Sequence, residues 1–332
     1  MLCLTVFAFF AHFGLRLKAE SNTTSYRYFR VGNPVNITTR TEAGFALMGG
    51  GKDLDAAFEW MCRRSGGGDF LILRATGADA YNSYVQGLCH ENSVATLVIP
   101  NRQAAMDPFI SQTIRNAAAI FISGGDQANY INFWSHTPVQ DALNDAIRRG
   151  IPVGGTSAGL AIQGSYIYSA QNDAPNGPDL TSAAALADPM DPQVVIARRF
   201  LDNPALSGVI TDTHFVTRNR MGRLLTFMAC ILSSNSLQRI KAIGIDEQTA
   251  VLLEPDGHAQ IVGHGAAYFL ESSAPPIQLR RARPLTFRDT AVQKVLPGGS
   301  FDLHSWSGTS VRYRLNVEEG VIQSTQHSGA IY

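Results

Sequence analysis

From residue 45 to residue 154 the chain alternates short apolar runs with longer amphipathic stretches. The apolar runs are continuous, as in strands of a parallel sheet that is buried on both faces. The stretches between them repeat their apolar positions at helical spacing. The pattern predicts five strands, at 45–48, 70–74, 96–99, 119–122 and 151–154, and three helices, at 54–64, 108–118 and 139–149. Strands that alternate with helices predict a doubly wound α/β fold with a mostly parallel sheet.

Beyond residue 200 the pattern changes. It predicts a strand at 209–211, a helix around Arg223, a strand that ends at Asp246 and a hairpin around 255–257. From about residue 275 onward, short segments of alternating polarity predict antiparallel strands. We therefore expect an N-terminal extension over 20–44, an α/β catalytic domain over 45–270 and a β-rich C-terminal region over 271–332.

Residues 2–15 form an apolar run that is interrupted mainly by His12 and followed by Arg16 and Lys18. This run is too short to cross a bilayer, and no comparable run recurs. It predicts a signal peptide over 1–19 and a protein that is secreted or periplasmic, without a transmembrane anchor. A hydrophobic first strand of the fold is the alternative. Sequons at Asn22 and Asn36 would matter only in a eukaryotic secretory pathway.

Composition narrows the set of partners. Lys and Arg number 27, against 27 Asp and Glu, so the chain lacks the basic excess that neutralises a phosphate backbone. Nucleic acid is therefore not expected as a partner. Removal of the signal peptide would leave Cys62, Cys89 and Cys230, which allow at most one disulfide. No pair of cysteines or histidines has the spacing of zinc ligands, and we expect neither a metal nor a cofactor.

The segment 151–160, IPVGGTSAGL, joins a strand to a helix through small residues. It contains the G-x-S-x-G pattern of a nucleophile elbow in the strand-turn-helix context that this pattern requires. Gly155 and Gly159 leave room for a sharp turn that lifts the Ser157 hydroxyl above the carboxyl edge of the sheet. We expect Ser157 to be a nucleophile and the Ala158 amide to donate to an oxyanion. A tight turn with an incidental serine is the alternative.

A serine nucleophile needs a base, and His214 has the most suitable position because it directly follows the strand at 209–211. The carboxylate that orients this histidine is expected at the end of the next strand, where Asp246 and Glu247 are adjacent. Because side chains alternate along a strand, only one of the two can face the site. The order serine, histidine, acid differs from the serine, acid, histidine order of α/β-hydrolase esterases.

Glycines also follow the strand at 119–122. Gly125 can supply a second oxyanion amide, and Gln127 can form a hydrogen bond with a substrate amide. A plain strand-to-helix turn capped by Asp126 is the alternative. A run of three glycines and Lys52 follows the first strand, but it lacks the Ser or Thr of a phosphate-binding loop, so we do not expect it to bind nucleotide.

Three arginines follow the proposed base within a few residues, at Arg218, Arg220 and Arg223. The planar guanidinium group suits carboxylate recognition, and the position beside His214 favours a place in the cleft. A solvated basic face is the alternative.

Taken together, these segments resemble cyanophycinase and its relatives in the serine peptidase family that also contains dipeptidase E, and most of all the secreted branch. The resemblance extends from about residue 45 to residue 254 and rests on 124–127, 154–159, 212–223 and 244–250. It implies a fold similar to class I glutamine amidotransferases and no metal. It implies catalytic roles for Ser157, His214 and Glu247, and substrate-side positions at Gln127, Asp212, Arg218, Arg220 and Arg223.

The resemblance also implies a substrate. This is multi-L-arginyl-poly-L-aspartate, whose aspartyl backbone would be cut to β-Asp-Arg dipeptides through an acyl-enzyme. Thr213 stands where intracellular cyanophycinases typically carry glutamine, which leaves the individual substrate contacts open. An isoaspartyl dipeptidase, a secreted esterase and a catalytically silent binding protein of the same fold are the alternatives. The chain can act as a monomer or as a homodimer.

Overall fold

The computed structural model describes residues 26–174, 177–235 and 237–332. The signal peptide expected over 1–19 and the sequon at Asn22 lie outside these residues. In the described part, no helix is long and apolar enough to cross a membrane. The helices are α1 (Asp55–Ser65), α2 (Ala80–Cys89), α3 (Pro108–Asn116), α4 (Gln127–Trp134), α5 (Pro138–Arg148), α6 (Ala158–Ala161), α7 (Ser182–Ala187) and α8 (Met221–Asn235).

The strands alternate with these helices as far as α8 and then follow one another directly. They are β1 (Arg27–Gly32), β2 (Phe45–Met48), β3 (Asp69–Arg74), β4 (Ser93–Val98), β5 (Ala119–Ile122), β6 (Val153–Thr156), β7 (Tyr166–Tyr168), β8 (Ile196–Arg198), β9 (Val209–Asp212), β10 (Ile240–Ile245), β11 (Thr249–Leu253), β12 (His258–Gly263), β13 (Ala267–Ser272), β14 (Gln278–Arg280), β15 (Arg283–Val295), β16 (Ser300–Asp302), β17 (Ser307–Gly308), β18 (Val311–Glu318) and β19 (Val321–Ser324).

The first sheet contains the strands that the apolar runs predicted. Its order is β1-β4-β3-β5-β6-β2-β11-β12-β16-β17, and the pairs from β4 to β2 are parallel. Each of β2, β5 and β6 is buried along its whole length, which explains why their sequences are continuously apolar or small. The α/β class is therefore confirmed. The extension predicted over 20–44 contributes β1, which pairs antiparallel with β4.

Most strands after α6 build a second sheet, which the sequence pattern did not separate from the first, whereas β11, β12, β16 and β17 extend the first sheet. Its order is β19-β18-β15-β13-β10-β9-β7-β8, and β14 pairs with β15 beside it. The pairs β7-β9 and β9-β10 are parallel, whereas β10-β13 and β13-β15 are antiparallel. Strands from both sides of residue 270 thus belong to one sheet. The domain division at that residue stays a prediction.

Helix α5 shows how the helices cover the first sheet. Thr137 caps it by accepting a hydrogen bond from the Val139 amide, and Pro138 occupies its first turn, where its missing N–H costs nothing. Apolar residues at helical spacing, including Leu143 and Ile147, face the core that this helix shares with the sheet. Helix α8 instead packs its apolar side chains into a separate core against the second sheet.

Cys62 in α1 and Cys89 at the end of α2 form a disulfide, so the single bridge that the cysteine count allows is present. Glu91 lies close enough to both sulfur atoms to form the one potential metal-ligand group among the described residues. Because the two sulfurs are bonded to each other, they are not available as thiolate ligands. Cys230 is the free cysteine of the described part.

Candidate active site

Ser157 lies between the end of β6 and the start of α6, at the carboxyl edge of the first sheet. Its backbone has φ 51° and ψ −118°, outside the conformations that most residues adopt. Its amide donates to the Met48 carbonyl oxygen at 3.1 Å. A Cβ on Gly159 would lie 2.0 Å from the Ile122 carbonyl oxygen, so the turn closes only with glycine there. The local sequence thus dictates a sharp bend with serine at its apex.

His214 comes from the second sheet, directly after β9 and Thr213. Its Nε2 atom lies 2.6 Å from the Ser157 hydroxyl oxygen, and its Nδ1 atom lies 2.5 Å from Oε1 of Glu247. The histidine side chain is 7% exposed and the glutamate side chain 25%. A neutral imidazole with its proton on Nδ1 donates to the carboxylate and presents a lone pair to the serine hydroxyl.

Asp246 and Glu247 have different partners, as strand alternation requires. Oδ1 of Asp246 accepts the Val216 and Thr217 amides, both at 3.1 Å, and the Thr217 hydroxyl at 3.0 Å. It therefore holds the turn that follows His214. Glu247 is the residue of this pair that contacts the imidazole.

The glycine run after β2 packs against this group, a role that the sequence analysis did not assign. The His214 amide donates to the Gly49 carbonyl at 2.7 Å, and the Gln248 amide donates to the Gly50 carbonyl at 2.9 Å. A Cβ on Gly50, where φ is +106°, would lie 2.4 Å from Cε1 of His214. Consecutive glycines directly after a buried strand are the sequence feature that could have indicated such a close approach.

Left-handed backbone conformations occur at three non-glycine residues of the site. Ser157, His214 and Gln248 have φ values of 51°, 47° and 52°. Such conformations each cost on the order of 1–3 kcal/mol and persist where surrounding structure enforces them, as they do at many catalytic sites. Here the Gly49 carbonyl accepts a hydrogen bond from the His214 amide, and the Gly50 carbonyl accepts one from the Gln248 amide.

Burial changes the pKa of His214, the proposed base. Desolvation lowers the pKa of His214 below its ordinary value of 6.5. The hydrogen bond that the imidazole donates to Glu247 has the opposite effect and raises this pKa, but by less. The positive charges of Arg218 and Arg220 add to the lowering. The imidazole is therefore neutral, as a base must be, over a wider pH range than that of an exposed histidine.

The three arginines after His214 differ in burial and partners. Arg223 is 2% exposed, and its Nε and Nη2 atoms both donate to Asp212, at 2.7 and 2.5 Å. Arg220 is 8% exposed and donates to the Thr213 carbonyl and hydroxyl, at 3.0 and 3.1 Å. Arg218 is half-exposed. The alternative of a solvated basic face is thus wrong for Arg220 and Arg223, which are buried.

Asp179 forms ion pairs with both Arg218 and Arg220. It accepts from Arg218 at 3.1 Å and forms a close ion pair with Arg220. Although burial alone would raise it, the pKa of the Asp179 carboxyl lies below its ordinary value because Arg220, Arg223 and Arg218 favour the anion. In this structure the Asp179 carboxylate therefore binds Arg218 and Arg220, which the sequence analysis expected to bind substrate.

A cavity of about 220 Å³ adjoins these groups, lined among others by Gly125, Gln127, Asp173 and Arg220. Gln127 donates its amide to the Tyr168 carbonyl at 2.9 Å, and Asp126 caps α4 through the Ala128 amide. Gly124 precedes the lining residue Gly125, and a Cβ on it would lie 3.5 Å from the Ser157 Cβ, so this wall of the cavity is close to the serine. Three larger cavities among the described residues, of about 510, 430 and 280 Å³, contain none of the residues around Ser157.

Asp173 also lines the cavity and, unlike Asp179, forms no ion pair with a cation of the described residues. It accepts the Tyr168 hydroxyl at 2.7 Å and the Gln193 side-chain amide at 3.0 Å. Burial raises the pKa of its carboxyl.

Comparison with known proteins gives one family model and several relatives. Residues 75–261 match the model of peptidase family S51. The chain is 27% identical over 235 residues to a cyanophycinase of Geminocystis herdmanii, which covers 68% of this chain and 76% of the relative. It is 26% identical over 256 residues to a cyanophycinase of Synechococcus elongatus, with 72% of each covered. A cyanophycinase of Nostoc sp. is 29% identical over 181 residues, with 54% and 53% covered.

Among solved structures, the chain is similar to a peptidase from an acI-B1 Actinobacterium. The TM-score is 0.50 with 17% sequence identity, and the match covers 79% of this chain and 98% of the other. At this identity the similarity supports a shared fold.

Proposed function

We propose, from the premise that the chain belongs to peptidase family S51, that it is an exported cyanophycinase. The chain is a serine-type peptidase of the cyanophycinase and dipeptidase E kind. Its proposed reaction is cleavage of the aspartyl backbone of multi-L-arginyl-poly-L-aspartate to β-Asp-Arg dipeptides. The observation that carries this proposal is the continuous line of short contacts from Ser157 through His214 to Glu247.

In the proposed mechanism His214 is the general base. Its Nε2 atom takes the hydroxyl proton of Ser157 as the oxygen attacks the scissile carbonyl, and Glu247 stabilises the resulting imidazolium. The imidazolium then gives this proton to the leaving amine, so that the C–N bond breaks and a serine ester remains. A water molecule, deprotonated by the same imidazole, hydrolyses the ester and restores the serine.

The finer features of the fold belong to the same proposal. We take the turn at Ser157 as a nucleophile elbow in a fold like that of class I glutamine amidotransferases, and 271–332 as a β-rich extension. The amides of Ala158 and Gly125 would stabilise the oxyanion. The strand-serine-helix order and the closeness of Gly124 to Ser157 support these assignments.

Substrate binding is assigned to the cavity beside Gly125. Arg218 and Arg220 would bind a substrate carboxylate in exchange for Asp179, whose side chain is 53% exposed and free to move aside. Gln127 would contribute a polar contact at the cavity wall. Asp212 and Arg223 would contribute indirectly. Their buried ion pair would support the segment that carries Arg218 and Arg220.

Export is also a proposal. The apolar run at 2–15 and the disulfide between Cys62 and Cys89 both support it, because disulfides persist in oxidising compartments. Terminal sequencing of the protein from its host should find a first residue near Glu20. A mature protein that still begins at Met1 would contradict this.

The test of the function is a substrate panel. Purified protein is incubated with insoluble cyanophycin, with isoaspartyl dipeptides and with a short-chain ester, and released products are identified by mass spectrometry. Release of β-Asp-Arg from the polymer supports the proposal. Cleavage of dipeptides alone indicates an isoaspartyl dipeptidase, cleavage of the ester alone indicates an esterase, and binding without any cleavage indicates a silent homologue.

The pH profile of kcat/KM follows from the environment of His214. Because burial lowers its pKa, we expect activity to fall only as pH drops below 6.5. Glu247→Gln removes a group that raises this pKa, so its residual activity should have an acidic limb at still lower pH. Arg218→Gln removes a charge that lowers it and should move the limb upward. A shift of both variants in one direction would contradict this assignment.

Gly50→Ala should displace the base without unfolding the protein. The added methyl overlaps the imidazole, and a catalytic group misplaced by about 1 Å costs on the order of a hundredfold in turnover. Gly67→Ala is the matched control, because Gly67 also has positive φ, at +76°, but has nothing within 4 Å of the added carbon. Equal losses of kcat in the two variants would show that Gly50 does not position His214.

A further inference from the structure

The hairpin formed by β14 and β15 presents three arginines at its tip, far along the chain from Ser157. Arg280 ends β14, Arg281 lies in the turn and Arg283 begins β15, and all three are exposed. β14 pairs with β15 and with no other strand, so the tip stands beside the second sheet.

The register of this hairpin places like charges together. Arg280 and Arg283 are direct cross-strand partners, an arrangement that destabilises a hairpin when both residues carry the same charge. None of the ion pairs between described residues includes Arg280, Arg281 or Arg283. No ion pair within the described part of the chain therefore relieves this repulsion.

The base of the hairpin holds the tip in one conformation. The Ile277 amide donates to the Thr286 carbonyl at 2.9 Å, and the Gln278 side-chain amide donates to the Pro284 carbonyl at 2.9 Å. Leu285 and Phe287 are fully buried in the core of the second sheet. The arginines are thus carried by a rigid support, which lowers the entropic cost of binding a ligand.

The hairpin also adjoins the elements of the candidate site. Helix α7 packs against β15, and α7 begins three residues after Asp179. A Cβ on Gly320 would lie 3.2 Å from the Pro284 side chain and 3.3 Å from the Leu186 carbonyl, so hairpin and helix meet there. Helix α7 therefore connects the Asp179 side of the cavity with the base of this hairpin.

We propose that Arg280, Arg281 and Arg283 form a second binding surface for the carboxylates of the polymeric substrate. This inference rests on the proposed function. In that polymer each arginine is attached through its amino group and keeps a free carboxylate and a free guanidinium group. Both charges recur along the chain, and the hairpin arginines would bind the carboxylates. Guanidinium groups bind carboxylates through paired hydrogen bonds, and several weak contacts to one polymer act together as avidity.

The test compares two triple variants of the full chain. One is Arg280→Gln, Arg281→Gln and Arg283→Gln. The matched control is Arg40→Gln, Arg63→Gln and Arg312→Gln, which removes the same charge from exposed arginines that are not adjacent in the chain. Binding to insoluble cyanophycin is measured by co-sedimentation in a Ser157→Ala background, and hydrolysis of a soluble β-Asp-Arg oligomer is measured with Ser157 intact.

We expect the hairpin variant to need about tenfold more polymer for half-maximal sedimentation, while the control binds like the parent. Binding by the parent should weaken with added salt more steeply than binding by the hairpin variant. Hydrolysis of the soluble oligomer should be the same in all three proteins.

Equal sedimentation of both variants would overturn the proposal. So would a hairpin-dependent affinity for an oligonucleotide or for anionic vesicles without any for cyanophycin. If the oligomer is not hydrolysed by the parent, the proposed function fails. Co-sedimentation of the Ser157→Ala proteins still decides separately whether the hairpin binds the polymer.

Discussion

Ser157→Ala and His214→Ala are each expected to lower kcat on cyanophycin by about five to six orders of magnitude. In the proposed mechanism the serine hydroxyl supplies the attacking oxygen and the imidazole acts as the base, and their 2.6 Å contact allows no other group between them. Because the two act as one unit, the double variant should lose no more activity than either single variant. Steady-state assays of product release, with mass spectrometry to detect a trapped acyl-enzyme, measure this directly.

Two comparisons separate this result from loss of structure. Ser157→Ala should change the free energy of unfolding by no more than about 0.5 kcal/mol, since no packing group is removed. Glu247→Gln keeps the shape of the side chain and loses its charge, so kcat should fall on the order of a hundredfold or more. Asp246→Asn should retain a working triad. If folded Asp246→Asn is inactive while Glu247→Gln has normal activity, Asp246 and not Glu247 is the acid. Full activity of Ser157→Ala would contradict the serine mechanism.

Asp212→Asn is expected to have the largest effect on stability, about 3–5 kcal/mol in the free energy of unfolding. Asp212 is 3% exposed and pairs through both oxygens with Arg223, which is 2% exposed. Removal of one partner leaves the other charge buried without compensation. Urea denaturation at neutral pH gives the value.

Asp179→Asn is the matched control, because it also removes a carboxylate from an arginine pair, but one that is 53% exposed. Its pair with the half-exposed Arg218 contributes about 0–1 kcal/mol, and the buried Arg220 keeps the Thr213 carbonyl and hydroxyl as partners. The free energy of unfolding should therefore fall less in Asp179→Asn than in Asp212→Asn. Combining Asp212→Asn with Arg223→Met should restore part of the lost stability, since no unpaired charge then remains. A stable Asp212→Asn protein with weakened substrate binding would instead place Asp212 in direct contact with substrate.

The sequence by itself determined the elements that depend on local pattern. Continuous apolar runs located β2 and β5 at their observed bounds, because a strand buried on both faces must be apolar throughout. The small residues around Ser157 indicated the sharp turn, since a side chain at Gly159 would collide with the end of the neighbouring strand β5. The positions of His214 and Glu247 followed from the ends of parallel strands.

Tertiary structure alone decided which groups meet. Strand alternation alone did not distinguish Asp246 from Glu247 as the partner of the imidazole. The packing of the second sheet against the first brought Glu247 to the imidazole. Burial separated the three neighbouring arginines, which look alike in sequence, into the buried Arg220 and Arg223 and the half-exposed Arg218. Gly50 gained its role from contact with His214, which is 164 positions later in the chain. These outcomes depend on long-range contacts, which a local pattern of polarity does not encode.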